Sequence, residues 1–312
     1  MSSEAYVDQI FEQRLTYPDF EPRERLAKLI GLDDHKLRVS KILSLLINPS
    51  SLEAWIEKHH PGANNALSTV LRRPPLVVLA GDVGSGKSEL AETIGDSVAR
   101  QEGIEITLFP LSLSTRGQGR VGEMTQLIST AFDHTYSEAR KLRSDSNKAR
   151  GGIILLVDEA DALAQSREAA QMHHEDRAGV NAFIRGIDRI ANAKLPVAII
   201  MCTNRVNALD PAVKRRAAEI ITFSRPNEIQ RFGVLTATLK QLGFNDTDIA
   251  SLVKATGPNS NRQYGFTFSD ITQRLIPSIV LDAYPDASID PTRALEVAQK
   301  MEPTPPFQEG MK

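Results

Sequence analysis

One cysteine, Cys202, is the chain's whole thiol inventory, and it sits inside an apolar run. No disulfide can form within the chain, which suits a reducing compartment. An excess of basic charge is also missing. The 37 Lys and Arg are offset by 39 Asp and Glu, giving a net charge of −2 and a pI of about 6.3. That balance argues against a dedicated nucleic-acid binder. Long hydrophobic runs are absent too. The longest, near 76–80, 153–157 and 197–202, fall far short of the roughly 18 residues needed to span a bilayer. Residues 1–8 carry neither the basic patch nor the apolar core of a secretory signal. There is no internal repeat. A cytoplasmic protein without a membrane segment is expected, and 312 residues with 41% hydrophobic and 24% charged content suit one large or two modest globular domains.

What the chain does have is an unbroken phosphate-binding loop. Gly81-Asp82-Val83-Gly84-Ser85-Gly86-Lys87-Ser88 reads G-x-x-x-x-G-K-[ST]. It follows the apolar run Leu76–Ala80 and precedes a helical pattern starting with Glu89. In a strand–loop–helix context, glycines let the backbone wrap closely, and loop N–H groups and the helix N-terminus converge on an anion. Lys87 adds a point charge for the outer phosphates, and the Ser88 hydroxyl is placed to hold Mg²⁺.

A second apolar run, Ile153–Val157, ends in Asp158-Glu159-Ala160-Asp161. In a parallel α/β sheet, ligands bind at the carboxyl ends of strands. Asp158 is the candidate for Mg²⁺ and Glu159 for activating a water. The alternative is an acidic first helical turn. A third run, Ala198–Cys202, leads to Thr203-Asn204. The Asn204 amide can hold the water or the γ-phosphate without adding charge, or can simply form a turn. Arg215 and Arg216 then close Leu209-Asp-Pro-Ala-Val-Lys-Arg-Arg. An arginine there can serve a neighbouring subunit's γ-phosphate, or be a solvated helix end.

Between 76 and 224 apolar and helical patterns alternate. Strands are expected at 76–80, 106–110, 153–157, 197–202 and 219–223, with helices near 87–101, 122–142, 160–170 and 178–192. This predicts an α/β fold with a parallel sheet covered on both faces. Val180, Phe183, Ile184, Ile187 and Ile190 form one apolar stripe on the last of these helices. Residues 1–25 read as a short helix and linker. From Arg25 to Glu57 the pattern is helical with a break at Gly31, and Ser51 is the expected N-cap of the helix carrying Trp55. Beyond Pro226 only helices are expected, near 227–241, 246–255, 269–284 and 290–301, before a loose proline-rich tail. The expected division is thus 1–25 an N-terminal segment, 26–225 a large α/β domain, 226–301 a small helical domain and 302–312 a tail.

The order of phosphate loop, Asp-Glu strand end, Thr-Asn strand end and Asp-Pro-Ala…Arg, followed by helices, resembles the AAA+ ATPases over residues 25–301. The resemblance implies an AAA+ core with a helical lid, using ATP and Mg²⁺. Ile30-Gly31-Leu32-Asp33 looks like the segment that lies against adenine. Gly265-Phe266-Thr267-Phe268-Ser269-Asp270-Ile271 looks like the lid motif that starts a helix beside the ribose. The nucleotide-binding set is therefore Ile30, Gly31, Asp82 through Glu89, and Ser269. Within that family, Asp158–Glu168 followed by Arg177–Asp188 is similar to the pachytene checkpoint group, also described as the thyroid-hormone-receptor-interactor type. The similarity implies an ATPase that remodels a HORMA-domain partner through a homohexameric pore, in a bacterial cyclic-oligonucleotide anti-phage system. It favours Arg216 over Arg215 as the arginine offered in trans.

Three positions depart from that pattern. Arg116–Glu123 occupies the first pore loop without an aromatic residue, so Arg120 and Val121 stand where substrate would be gripped. The lid has Phe268-Ser269 where relatives have Gly-Arg, which leaves Arg274 as a lid arginine only after a register shift. Asp82-Val83 replaces two prolines common in the phosphate loop. His173-His174-Glu175-Asp176 lacks a third metal ligand and reads as a polar second pore loop. A helicase- or clamp-loader-type ATPase and a nucleotide-gated scaffold are the competing functions. No direct nucleic-acid partner is expected.

Overall fold

The computed structural model describes residues 10–11, 13–113, 122–143, 149–164, 174–205, 209–260 and 262–307. The chain divides into two compact units. One holds Asp34–Ala80 and Ser88–Thr222 with residues up to Ala27; the other holds Lys28–Asp33, Gly81–Lys87 and the chain from Phe223 onward.

The first unit opens with β1 (Leu15–Tyr17) and α1 (Phe20–Lys28), then α2 (Asp33–Ile47), α3 (Ser50–His59) and α4 (Asn64–Leu71). Next come β2 (Leu76–Gly81), α5 (Lys87–Glu102), β3 (Glu105–Ser112), α6 (Glu123–Leu142) and β4 (Gly151–Asp158). They are followed by α7 (Asp161–Ala164), α8 (His174–Ala193), β5 (Val197–Thr203), α9 (Pro211–Lys214) and β6 (Ala217–Phe223). The strands form one sheet in the order β1-β3-β4-β5-β2-β6. The β3–β4, β4–β5 and β5–β2 pairs are parallel, and β1 runs antiparallel to β3. Ile153 to Val157 are buried to the last residue. With no polar alternation, such a strand is stable only with helices on both faces. Each side chain so buried contributes about 1.5–3 kcal/mol over an exposed one. The apolar stripe of α8 is core as expected. Phe183 packs edge-on to Phe132 of α6 at 5.8 Å, and Val180, Ile187 and Ile190 are buried with it.

Two expectations near the N-terminus need correction. Part of the 1–25 segment is a strand: Tyr17 is fully buried in β1, and its hydroxyl donates to the Glu92 carbonyl of α5. Gly95 makes room, since a Cβ there would lie 2.4 Å from the Tyr17 ring. This edge strand is too short and polar to show a period of two in the sequence. Helix α3 begins at Ser50 with Pro49 as N-cap and no side-chain cap bond; the Ser51 hydroxyl donates to Glu102 instead, at 2.5 Å.

The second unit contains α10 (Glu228–Leu239), α11 (Asp246–Ala255), a π-helical stretch Asp270–Leu275 running into α12 (Ile276–Ala283), and α13 (Pro291–Lys300). Capping boxes start α10 at Asn227 and α11 at Asn245, and Asp290 caps α13. Leu235, Leu239, Ile249, Phe266, Ile271 and Leu275 are among its buried apolar residues.

Candidate nucleotide site

The phosphate loop is built from its own polar atoms. The Ser85 hydroxyl donates to the Asp82 carbonyl at 2.7 Å. The buried Lys87 ammonium donates to the carbonyls of Gly81 at 3.0 Å and Asp82 at 2.8 Å. Gly84 has a φ of +69°, a conformation that side chains resist. It is also approached closely by the Gly265–Ile271 motif: a Cβ at Gly84 would meet Thr267 Oγ1 at 2.8 Å and Ser269 Cβ at 2.9 Å. The Ser269 amide donates to the Gly84 carbonyl at 3.1 Å. Val83 is exposed, Gly86 and Ser88 are half-buried, and α5 starts at Lys87. The segment Ile30-Gly31 belongs to the same unit. Its Gly31 carbonyl accepts from Gln230 Nε2 of α10 at 2.6 Å. Ser269 is thus packed on Gly84 of the loop, while Gly31 is held by Gln230.

The acidic strand end is equally well defined. In register, Val157 of β4 faces Met201 of β5, and Thr203 of β5 faces Ala80 of β2. The carboxyl ends of the three strands thus lie side by side, and β2 runs on into the phosphate loop. Asp158 ends β4 and Glu159 follows it, with a φ of +52°. A non-glycine residue there costs about 1–3 kcal/mol and clusters at functional sites. The Glu159 amide donates to Asp158 Oδ1 at 2.8 Å, and the Ser112 hydroxyl donates to Glu159 Oε2 at 3.1 Å. Asp161, which the sequence placed in the motif without a task, organises Asn204. It accepts the Thr203 hydroxyl at 2.8 Å, the Asn204 amide N–H at 2.7 Å and the Asn204 side-chain nitrogen at 3.1 Å. The Asn204 side chain is thereby aimed from the strand end by a carboxylate three residues beyond Asp158. The Asp158 carboxylate and the Ser88 hydroxyl are hard oxygen donors of the kind that suits Mg²⁺.

Arg216, Glu89 and Arg274 are each paired with another side chain. Arg216 pairs with Asp188 of α8, through Nε at 2.6 Å and Nη2 at 2.9 Å, and donates from Nη1 to the Ala212 carbonyl. The Asp188 hydrogen bond raises its pKa further. Arg215 is exposed and has no ion pair among the described residues. The Glu89 carboxylate is occupied by Arg25, with two bonds of 2.8 Å, so it braces α1 against α5. Arg274 is tied to Asp270 at 2.7 Å and to the Glu302 carbonyl at 3.1 Å. The segment 302–307 departs from the expected loose tail. The Thr304 amide and hydroxyl donate to the buried Asp270, and the Phe307 amide donates to Asp82.

Arg120 and Val121 lie outside the described residues, as does His173 of the expected second pore loop; His174, Glu175 and Asp176 of that stretch are not loop but the first turn of α8. Among the described residues no group of three or more His, Cys, Asp or Glu could hold a metal ion, and no helix is long and apolar enough to cross a membrane. A recess of about 1050 Å³ lined by Ile47, Leu71, Ile190 and Leu195 opens beside Pro75 and Pro196, at the amino ends of β2 and β5. It is at the opposite edge of the sheet from the acidic strand end.

A phosphate loop after β2, an acidic pair after β4 and an asparagine after β5 define a P-loop nucleoside triphosphatase. Residues 77–225 match the family model for ATPases associated with various cellular activities. The chain belongs to the AAA ATPase family and, within it, to the bacterial group of CD-NTase-associated protein 6. It is 66% identical over 307 residues to CD-NTase-associated protein 6 of Escherichia coli MS 115-1, covering 98% of this chain and 99% of that one. It is 34% identical over 297 residues to the protein of that name from E. coli KTE188, covering 95% and 97%. Among solved structures it resembles a chain of the E. coli MS115-1 HORMA:CdnC:Trip13 complex, with a TM-score of 0.90 at 66% identity over 97% of this chain and 99% of that one. Rhizobiales Trip13 matches with a TM-score of 0.76 at 60% identity, over 95% and 100%.

Proposed function

We propose that this chain is an ATP-driven remodeller of a HORMA-domain protein, working as a homohexamer in the cytoplasm within a cyclic-oligonucleotide anti-phage system. The observation that carries this reading is end-to-end similarity, at 66% identity, to a chain solved in a HORMA:CdnC:Trip13 complex. The phosphate loop and acidic strand end supply the chemistry that such a machine needs.

Lys87 leaves the Gly81 and Asp82 carbonyls to meet the outer phosphates, exchanging one set of oxygen acceptors for charged ones. Ser88 and Asp158 hold Mg²⁺, which when bound offsets phosphate charge. Glu159 is the base for the attacking water, fixed by Ser112. Asn204, aimed by Asp161, positions that water or the γ-phosphate. Arg216 is the arginine offered to the neighbouring subunit, and Asp188 holds it until then. The lid motif ending at Ser269 contacts Gly84, so it is placed to follow the state of the loop. Arg120 and Val121 are the pore residues that grip substrate.

Steady-state hydrolysis is the test, measured alone, with a HORMA-domain partner and with DNA, and repeated with Glu159→Gln. Stimulation by the HORMA protein, lost in the variant by roughly 10²- to 10⁴-fold, is expected. Stimulation by DNA and not by the protein contradicts the reading.

A further inference from the structure

Asp82 and Val83 stand where two prolines are common in this loop, and the structure shows what Asp82 does there. Its carboxylate accepts three hydrogen bonds: from its neighbour Val83 N at 2.9 Å, from Arg225 Nε at 2.6 Å, and from Phe307 N at 3.3 Å. The first is local. The second spans 143 residues of sequence and the third 225. The Asp82 and Arg225 side chains are only 17% and 13% exposed, so this pair is well shielded from the solvent screening that makes surface ion pairs weak.

Arg225 carries the connection further. Its Nη1 donates to the Gly265 carbonyl at 2.7 Å, and its guanidinium lies 4.9 Å from the centre of the Tyr264 ring. Its Nη2 is buried with no hydrogen-bond partner among the described residues. Leaving a guanidinium donor unsatisfied in a buried place carries a cost, so the position is held by what the other nitrogens gain. Gly265 begins the stretch that reaches Thr267 and Ser269, and these are the residues packed on Gly84. The phosphate loop is therefore grasped at two points by one lid segment: at Gly84 by direct packing, and at Asp82 through Arg225.

We propose that Asp82 and Arg225 form a positioning pair that fixes the phosphate loop to the lid segment Tyr264–Ser269 and passes the loop's engagement with a triphosphate on to the lid. This rests on the reading of the chain as an ATPase. Neither residue needs to touch the reacting atoms. An ion pair here supplies through a tertiary contact the stiffness that a proline ring supplies locally, and it adds a link to the lid that a proline cannot provide. The Phe307 amide makes the C-terminal segment a second tether on the same carboxylate.

Amide hydrogen exchange in the nucleotide-free protein tests the link without any ligand. The Ser269 amide bonds to Gly84 of the loop, whereas the Phe266 amide bonds to Thr256 inside the lid. In Asp82→Asn and in Arg225→Met, exchange at Ser269 is expected to quicken at least about tenfold while Phe266 stays unchanged. Equal quickening at both amides, the signature of general destabilisation, overturns the proposal, as does no change at Ser269. Affinity for a fluorescent ATP analogue is the second readout. Each substitution is expected to raise Kd by about 5- to 10-fold and to raise KM more than it lowers kcat. The double variant should be no worse than the poorer single one, because both remove one interaction, and Arg225→Lys should recover part of the loss. Additive losses overturn the pairing. Wild-type protein that binds no ATP would sink the ATPase reading and leave the exchange result to judge the loop–lid link.

Discussion

The acidic strand end and the phosphate loop are assembled by different means. Asp158, Glu159 and Asn204 lie at the ends of adjacent parallel strands and Asp161 opens the short helix just beyond β4, so local chain and sheet register bring them into reach. The phosphate loop is steadied by partners far away in sequence: Arg225, Ser269 and Phe307. One region is a rigid platform for chemistry. The other is a junction of tethers, which suits a part that must respond to the ligand it holds.

The comparison can be broken by substitutions that affect one region and spare the other. The largest effect is expected from Lys87→Ala, which removes a charged donor from the loop. Nucleotide affinity should fall roughly 10- to 100-fold by equilibrium titration, and an unchanged Kd would mean that the loop does not hold the triphosphate. Asp161→Ala should act on the platform. Asn204 loses the carboxylate that aims it, so kcat should fall by about tenfold or more while Kd stays within about twofold. A matching loss of binding would show that the two regions do not divide the work. The mildest effect concerns the lid. Burial disfavours the charged form of Asp270, but hydrogen bonds from Thr267, Thr304 and Arg274 outweigh it and hold its pKa below the ordinary 3.8. A depressed carboxylate contributes stability above its unfolded pKa and loses it as pH falls through the folded value. The urea midpoint of the lid should therefore drop below about pH 4, and Asp270→Asn should flatten that dependence and lower the midpoint at neutral pH.

The same contrast explains what could be read from the chain. Strands β2, β4 and β5, the loop and the strand-end residues follow from local runs, because a buried parallel strand leaves a continuous apolar stretch with its polar residues just beyond. Asp161 had a visible signal in its spacing from Asp158, but its partner Asn204 is 43 residues away. Arg225 carried no signal, and Asp188, though it ends the Arg177–Asp188 stretch, gave no sign of its partner; an arginine near a strand end and an aspartate on a helix are unremarkable until the fold sets them beside Asp82 and Arg216. The short edge strand β1 escaped because three residues are too few for a period. The segment 302–307 escaped because proline content indicates an extended backbone, not whether side chains will hold it.

The most direct test of the central claim is the fate of ATP on the Glu159→Gln protein. Radiolabelled ATP should be recovered intact from the isolated complex after a time in which the wild-type protein converts its bound nucleotide to ADP. Recovery of ADP from the variant at the wild-type rate, or failure of either protein to retain ATP, would contradict the account.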